Sequence, residues 1–333
     1  LAKENVRFAT GVVGSLYTAV RTYTKEDASV IICPPVYYPF YDAILNTGRK
    51  LVTCDLDNHE GHYTLDLEKF EKAIAENKVE MFILCTPHNP VCRVWTEAEL
   101  AGMLDICKRH NVLVLADEIH QDFAYSEEHP FVSTALVEGG KYKDILIILH
   151  AASKTFNLAG LVHSHVLIFD EKLMEKYDAY IKSVGSAEAN LMGLIAVEAA
   201  YRGGEEYFDN VKALICHNYQ YMKETFAKEL PEIVVTPLGG LPVHEGDLRQ
   251  GAAGNRGHPL GRDLPFLDRP AGVPPRRGSG ELHPEEVPLG LRRGRVVQLH
   301  RPRLHPHQPG HPYKERPHCR GAHRHQHQGA AAI

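Results

Sequence analysis

Short apolar runs that alternate with amphipathic stretches constrain the fold of this chain more than any other feature. Four runs have the length and composition of buried strands: residues 30–32, 81–85, 112–116 and 145–149. The stretches from Leu65 to Ile74 and from Thr96 to about His110 repeat apolar residues at helical spacing. Strands that alternate with helices predict a mostly parallel sheet covered by helices on both faces, which is an α/β fold.

The rest of the first 240 residues extends this pattern. Helices are predicted over 40–47, 171–183 and 189–200, and strands over 50–54 and 166–169. Residues 205–229 have the pattern of a long charged amphipathic helix, which we interpret as a bridge to a small α+β domain. We expect Ile233–Val235 to begin the sheet of that small domain and the domain itself to be incomplete.

A lysine follows the last of the four strands, in a turn of small residues. Lys154 lies in the stretch SKTFNLAGL at 153–161, a few residues after the 145–149 run. A lysine amine whose pKa is lowered by burial and nearby charge can form a Schiff base with a carbonyl compound. A solvated loop lysine is the alternative, because most lysines lie on the surface.

Polar side chains also follow the two preceding strands. Asp117 begins the sequence DEIH after 112–116, and Asn89 lies in the sequence TPHNP after 81–85. An acid at the carboxyl end of a buried strand lies where open α/β sheets bind ligands, and such a carboxylate can hold a pyridine nitrogen protonated. The alternatives are a helix N-cap for Asp117 and a plain Asn-Pro turn for Asn89.

Two further stretches suit a flat ligand that carries a phosphate. After 30–32 the sequence PPVYYP puts the rings of Tyr37 and Tyr38 at a strand end, where they can stack on a planar molecule. Gly11 precedes Val12 and Val13 at a predicted helix start, where backbone N–H groups can bind a phosphate. The alternatives are a rigid turn with packed tyrosines and an ordinary capped helix start.

The order and spacing of these stretches resemble one family. The sequences PPVYYPF, DEIH and SKTFNLAGL are similar to those of fold-type I enzymes that use pyridoxal 5′-phosphate (PLP), in the class I/II aminotransferase superfamily. Within it, they look like the MalY/PatB-type cystathionine β-lyases. The resemblance covers roughly Phe8 to Gly240 and implies a PLP-binding large domain, a small α+β domain and a homodimer with shared active sites.

The resemblance also implies roles for individual residues. Lys154 is expected to form the internal aldimine and to act as acid and base at the substrate Cα, while Asp117 pairs with the pyridine nitrogen. Tyr38 is expected to lie near the substrate. The other implied cofactor contacts are Tyr37 on the ring face, Asn89 and His120 at O3′, and Val12, Val13 and Ser153 at the phosphate. A helix-start histidine is the alternative for His120.

The implied reaction is α,β-elimination from L-cystathionine or another L-cysteine S-conjugate, which gives a thiol, pyruvate and ammonia. An aminotransferase on the same site is one alternative, because both reactions begin with removal of the Cα proton. An inactive PLP-binding or regulatory remnant is the other.

The chain departs from the pattern of these relatives at several points. Relatives usually continue Thr-Gly after Asn-Pro, where this chain has Val91-Cys92, and they often have a basic or amide residue where this chain has Val162. The arginine that binds the substrate carboxylate in relatives has no matching motif here. Relatives also have an amino-terminal segment without a counterpart, so we expect a truncated chain.

Composition bounds the location of the protein and its partners. No apolar run approaches the roughly 18 residues that a membrane helix needs. The seven cysteines include no Cys-x-x-Cys pair, which argues against a disulfide framework or a zinc site. We therefore expect a cytoplasmic protein that acts on a small amino-acid substrate and does not contact membranes.

Residues 241–333 differ from everything before them. They have 13 of the 21 prolines, 11 of the 21 histidines and 15 Lys+Arg against 8 Asp+Glu. The possible interpretations are a disordered basic tail, a His-rich metal tract and a frameshifted sequence, of which we favour the last. A nucleic-acid role is not expected, because the tail lacks interleaved aromatic residues. The predicted organisation is a large domain over 1–204, a bridging segment over 205–240 and an aberrant tail over 241–333.

Overall fold

The computed structural model describes residues 1–125, 130–186 and 190–239. Its strands are β1 (Val6–Ala9), β2 (Ser29–Ile32), β3 (Lys50–Thr53), β4 (Asp57–His59), β5 (His62–Thr64), β6 (Val79–Cys85), β7 (Leu113–Asp117), β8 (Leu146–His150) and β9 (Ser164–Ile168). Its α-helices are α1 (Val12–Tyr23), α2 (Pro39–Leu45), α3 (Leu67–Asn77), α4 (Glu97–Arg109), α5 (Glu171–Ser183), α6 (Leu191–Gly203) and α7 (Glu205–Glu229). Within these ranges no helix has the length and apolar character needed to cross a membrane.

Seven strands form one sheet in the order β1-β9-β8-β7-β6-β2-β3, and β4 pairs with β5 in a separate hairpin. The pairs from β3 to β8 are parallel. Only β9 runs the other way, antiparallel to both β8 and β1. The predicted α/β fold with a mostly parallel sheet is therefore confirmed.

Apolar layers cover both faces of the sheet. The layer on one face includes Leu16 of α1 and Leu115 of β7, and the layer on the other includes Phe70 of α3 and Ala116 of β7. Successive residues of a strand point to opposite faces, so the alternation along β7 builds both layers at once. Burial of these layers fixes the register in which the strand ends meet.

Polar side chains begin most of the long helices. Thr96 and Glu99 form a capping box at α4, the helix that the sequence predicts to start at Thr96. Asp66, Asp170 and Asn190 accept hydrogen bonds from the first N–H groups of α3, α5 and α6. These caps satisfy donors that a helix leaves unpaired, and they account for the observed starting points.

Three sequence predictions need correction. The sequence predicts no strand before α1, but the structure has β1 there, because this edge strand pairs with β9 from a distant part of the chain. The helix predicted over 189–200 is α6, which starts after the Asn190 cap. The strand predicted at Ile233–Val235 is not among the strands of the described residues. Instead this region packs against α7, whose Tyr219 hydroxyl donates to the Thr236 carbonyl at 3.0 Å.

The bridging helix predicted over 205–229 is α7, with the same bounds. The tail over 241–333, with its three interpretations, lies outside the described residues. The division of the chain into a large and a small domain stays a prediction.

Candidate active site

The carboxyl ends of five strands meet along one edge of the sheet. β2, β6, β7 and β8 run in parallel, and β1 has the same direction because β9 is antiparallel to both β1 and β8. In register, Asp117 of β7 lies between Cys85 of β6 and Leu149 of β8. All the segments with candidate residues leave the sheet at this edge, where open α/β sheets bind ligands.

Asp117 is a buried acid at the end of β7, with 4% of the residue exposed. Its carboxylate accepts a hydrogen bond from the Ile119 N–H at 3.1 Å, and a turn rather than a helix follows, so the N-cap alternative is wrong. Burial raises the pKa of Asp117 from 3.8 to about 7, and the Ile119 N–H, His150 and Lys154 oppose this only in part. Perturbed carboxyls of this kind are concentrated at functional sites.

Lys154 lies in the turn after β8 and is partly buried. The Phe156 N–H donates to the Ala152 carbonyl and the Leu158 N–H to the Ser153 carbonyl, each at 3.0 Å, which closes the turn around the lysine. The lysine charge lowers the pKa of the Asp117 carboxyl. The lysine turn and Asp117 therefore lie near each other, at the ends of the neighbouring strands β8 and β7.

Asn89 and Tyr37 lie next to each other because the main chain joins their loops. The Tyr37 N–H donates to the Asn89 carbonyl at 3.0 Å, and the Asn89 N–H donates to Cys85 Sγ at 3.3 Å. His88 Nε2 lies 3.0 Å from the Pro35 carbonyl. Burial lowers the pKa of His88 to about 4, so the neutral ring donates through Nε2. These contacts join the loops after β2 and β6 into one wall of the site.

The amino end of α1 follows β1 at the same edge. Gly11 precedes the helix with a φ of 84°, and no side chain of the described residues caps it. The first N–H groups of a helix have no partner within it, so those of Val12 and Val13 can bind an anion. The Val12 side chain is buried and that of Val13 is exposed. This is the position that the sequence predicts for a phosphate.

The remaining predicted residues also lie at this edge. His120 is buried in the turn after β7, with its ring 6.4 Å from that of Phe123, and no helix begins there. Tyr38 is exposed at the start of α2, and its ring centroid is 5.3 Å from that of Tyr37. Ser153 is partly buried directly before the lysine. Their individual roles stay predictions.

Two of the departures noted in the sequence coincide with unusual backbone. Cys92 has a φ of 57° and Val162 a φ of 48°, both in the left-handed region that favours glycine. A Cβ added to Gly11 would lie 3.4 Å from Val162 Cγ1. Val162 therefore borders the amino end of α1, and its branched side chain occupies a strained position there.

A buried network around Glu118 was not anticipated from the sequence. Glu118 is fully buried and accepts hydrogen bonds from Ser133 Oγ (2.8 Å) and from Thr134 N and Oγ1 (2.8 and 2.6 Å). His150 Nε2 lies 2.8 Å from the same carboxylate. The sequence has one signal that could have indicated this network: Glu118 is an acid directly after a predicted buried strand. A buried acid requires hydrogen-bond donors from elsewhere in the fold.

A second side-chain bond also joins the segments after β7 and β8. Thr155 Oγ1 donates to Asp122 Oδ2 at 2.6 Å, and Thr155 is buried. Neither residue has a sequence pattern that predicts this pair, because the partners are 33 positions apart.

This sheet, with a lysine turn and a buried acid at adjacent strand ends, belongs to the open α/β folds, which bind ligands at the carboxyl edge of the sheet. The chain belongs to the aminotransferase class I and II family, whose model matches residues 1–243. Cystathionine β-lyase PatB of Bacillus subtilis (strain 168) is 35% identical over 232 residues, which are 69% of this chain and 59% of the relative. Protein MalY of Escherichia coli (strain K12) is 28% identical over 231 residues, 69% and 58% of the two chains. The chain thus spans less than two thirds of the length of these relatives.

The fold is also similar to that of solved PLP enzymes. Cystalysin from Treponema denticola, which contains a pyridoxal 5′-phosphate cofactor, matches with a TM-score of 0.69 and 32% identity, over 72% of this chain and 60% of cystalysin. The PLP-bound C-S lyase from Staphylococcus hominis matches with a TM-score of 0.68 and 29% identity, over the same shares of the two chains. These likenesses confirm the fold-type I architecture expected from the sequence.

Proposed function

We propose that this chain is a PLP-dependent carbon–sulfur β-lyase, which converts L-cystathionine or another L-cysteine S-conjugate to a thiol, pyruvate and ammonia. One observation carries the proposal: the buried Asp117 ends β7, and the turn of Lys154 follows the adjacent parallel strand β8. Support also comes from three of the proteins named above: PatB is named as a cystathionine β-lyase, the Staphylococcus hominis protein as a PLP-bound C-S lyase, and cystalysin contains PLP.

The residues of the site fit PLP. Burial has raised the pKa of Asp117 to about 7, and a protonated pyridine nitrogen would give this carboxylate a direct positive partner. Lys154 would bind the cofactor covalently through its amine. The helix α1 has the uncapped N–H groups that a phosphate requires. The remaining contacts that we propose are Val12, Val13 and Ser153 at the phosphate, Asn89 and His120 at O3′, and Tyr37 against the ring.

PLP, when bound, supplies the electron sink that stabilises negative charge at the substrate Cα. The Lys154 amine would be the group that accepts the Cα proton. Asp117 would hold the cofactor at its pyridine nitrogen, where an ionised carboxylate favours the protonated form. Tyr38, at the exposed rim, contacts the substrate. Thiolate then leaves from Cβ, and water hydrolyses the remaining enamine to pyruvate and ammonia.

The first experiment tests the lysine and the cofactor together. The purified chain is incubated with PLP, reduced with borohydride and digested, and the mass of the peptide that contains Lys154 is measured. We expect the added mass on this peptide, and none on the corresponding peptide of Lys154→Ala. A reduced adduct spread over surface lysines, or absent, would contradict the proposal. The reaction is then tested with L-cystathionine, from which pyruvate and thiol are expected without a keto-acid acceptor.

An aminotransferase is the second candidate, because the family to which the chain belongs is named for that reaction. In that reaction Lys154 would accept the Cα proton and donate it to the cofactor, and no thiol would leave from Cβ. Product formation that depends on an added keto acid, with no thiol released, would favour it over the lyase.

We propose in addition a homodimer that acts in the cytoplasm on free amino acids. The proposal rests on the family resemblance. Sedimentation of the purified chain at several concentrations tests the dimer, which would appear at twice the monomer mass of 37.2 kDa.

A further inference from the structure

Two side-chain bonds, which we call the bracket, lie on either side of Lys154. The first joins His150 to Glu118 with 2.8 Å between Nε2 and Oε2, and the second joins Thr155 to Asp122 at 2.6 Å. Both acids belong to the segment that follows β7, while their partners are His150, the last residue of β8, and Thr155, in the turn of the lysine. We propose that the bracket consists of positioning residues, which fix the Lys154 amine relative to the carboxylate at the end of β7.

Burial restricts the geometry of the first hydrogen bond of the bracket, between His150 and Glu118. Glu118 is fully buried, and a buried carboxylate is costly unless its oxygens are hydrogen-bonded. Ser133 and Thr134 donate three hydrogen bonds to it besides the contact with His150. A satisfied buried network of this kind has one favourable arrangement. His150 is therefore fixed at the point where β8 ends and the lysine turn begins.

The second bond fixes the other side of the turn. Thr155 is buried directly after Lys154, and its hydroxyl donates to Asp122, five residues beyond Asp117. With both ends tied to the same segment, the lysine turn cannot shift along the sheet edge without breaking a buried bond. The bracket residues act through the lysine rather than on substrate.

The inference rests on the proposed function, since a fixed separation of amine and carboxylate matters when both contact one cofactor. Reactive groups lose much of their rate when they are misplaced by about 1 Å. The charged or titratable groups that face Asp117 are Cys85 from β6, Glu118 beside it, His150 from β8 and Lys154 from the turn. A change in the separation between Asp117 and Lys154 is therefore measurable without any cofactor.

The first test uses the cofactor-free protein. The free energy of unfolding of each variant is measured between pH 4 and pH 9. The same measurement on Asp117→Asn is subtracted, so that the remaining pH dependence comes from the titration of Asp117. Lys154→Met is expected to raise the pH midpoint of this titration by on the order of one pH unit, because a nearby cation is removed. In a Thr155→Val background, Lys154→Met should move the same midpoint far less. An equal shift in both backgrounds would overturn the inference.

The matched control is Thr47→Val. Thr47 is also a buried threonine, but it lies in the turn after α2, where its hydroxyl donates to the Ala43 carbonyl of that helix at 2.7 Å. In the Thr47→Val background, Lys154→Met should shift the midpoint of the Asp117 titration as much as in wild type. A smaller shift would mean that loss of any buried hydroxyl produces the effect.

The second test uses PLP with borohydride reduction. Labelling of Lys154 is expected to slow at least roughly tenfold in Thr155→Val and to recover in Thr155→Ser. Glu118→Gln changes the other hydrogen bond of the bracket and should slow the labelling as well. Equal labelling of wild type and Thr155→Val overturns the inference and leaves the proposed function intact. Absence of labelling in wild type overturns the proposed function instead, and the cofactor-free test then decides the bracket alone.

Discussion

The buried acid at the end of β7 gives the sharpest prediction, which concerns Asp117→Asn in the cofactor-free protein. The amide has nearly the shape of the carboxyl and carries no charge at any pH. Burial raises the pKa of Asp117 from 3.8 to about 7, so the folded protein keeps this carboxyl protonated at a pH where the unfolded chain ionises it. The acid therefore destabilises the fold as the pH rises, and the amide does not.

The sign and size follow from proton linkage. Between about pH 4 and pH 7 the folded state binds one more proton at this site than the unfolded state, so the free energy of unfolding falls as the pH increases. About three pH units at 1.36 kcal/mol per unit gives a loss of at most about 4 kcal/mol. The advantage of Asp117→Asn over wild type should be small at pH 4, grow up to pH 7 and stay constant above it.

Urea unfolding at pH 5 and pH 8 measures this difference. Trp95 is the only tryptophan and is buried, so its fluorescence reports the unfolding of the sheet region. Asp66→Asn is the control: hydrogen bonds from Lys69 and Glu68 lower the pKa of this partly exposed cap, so its carboxylate is ionised in both states above pH 5. The control should therefore change stability equally at the two pH values.

The reasoning is refuted if Asp117→Asn and wild type differ by the same amount at pH 5 and pH 8. It is also refuted if the free energy of unfolding of wild type increases relative to that of Asp117→Asn as the pH rises. With PLP present the order is expected to reverse, because the ionised acid then has the pyridine nitrogen as its partner and the amide does not.

Three further predictions concern stability alone and are checked by urea unfolding at one pH. Val162→Asn should stabilise the fold by about 1 kcal/mol, because asparagine tolerates the left-handed φ of 48°, and the equally exposed Val184→Asn should change little. Thr96→Ala should cost about 1 kcal/mol, since it removes the capping box of α4, and an unchanged midpoint would contradict this. Leu16→Ala should cost about 2–5 kcal/mol, because the side chain is fully buried between α1 and the sheet, and a loss below 1 kcal/mol would mean that this layer is loosely packed.

Much of the fold could be predicted because its signals are local. The bounds of α5 and α7 match the periodic stretches at 171–183 and 205–229, and the capping box of α4 is a four-residue signal. Each parallel strand was predicted to within two residues, and for β6, β7 and β8 the signal is a continuous apolar run, which marks a strand buried on both faces. By contrast, β1 was missed, because a four-residue edge strand has little signal apart from its partner β9.

By itself, the sequence determined the type of fold and the order of the candidate groups along it: a lysine, an acid and an asparagine, each just past a buried strand. Only the tertiary structure decided what these groups can do. The pKa of Asp117 depends on how completely the fold removes it from water, which no local pattern records. The partners of Glu118 come from 15 to 32 positions away, and His150 among them meets it because β7 and β8 pair in register. Local spacing fixes helices and strands, whereas charge, burial and long-range contact exist only after the chain has folded.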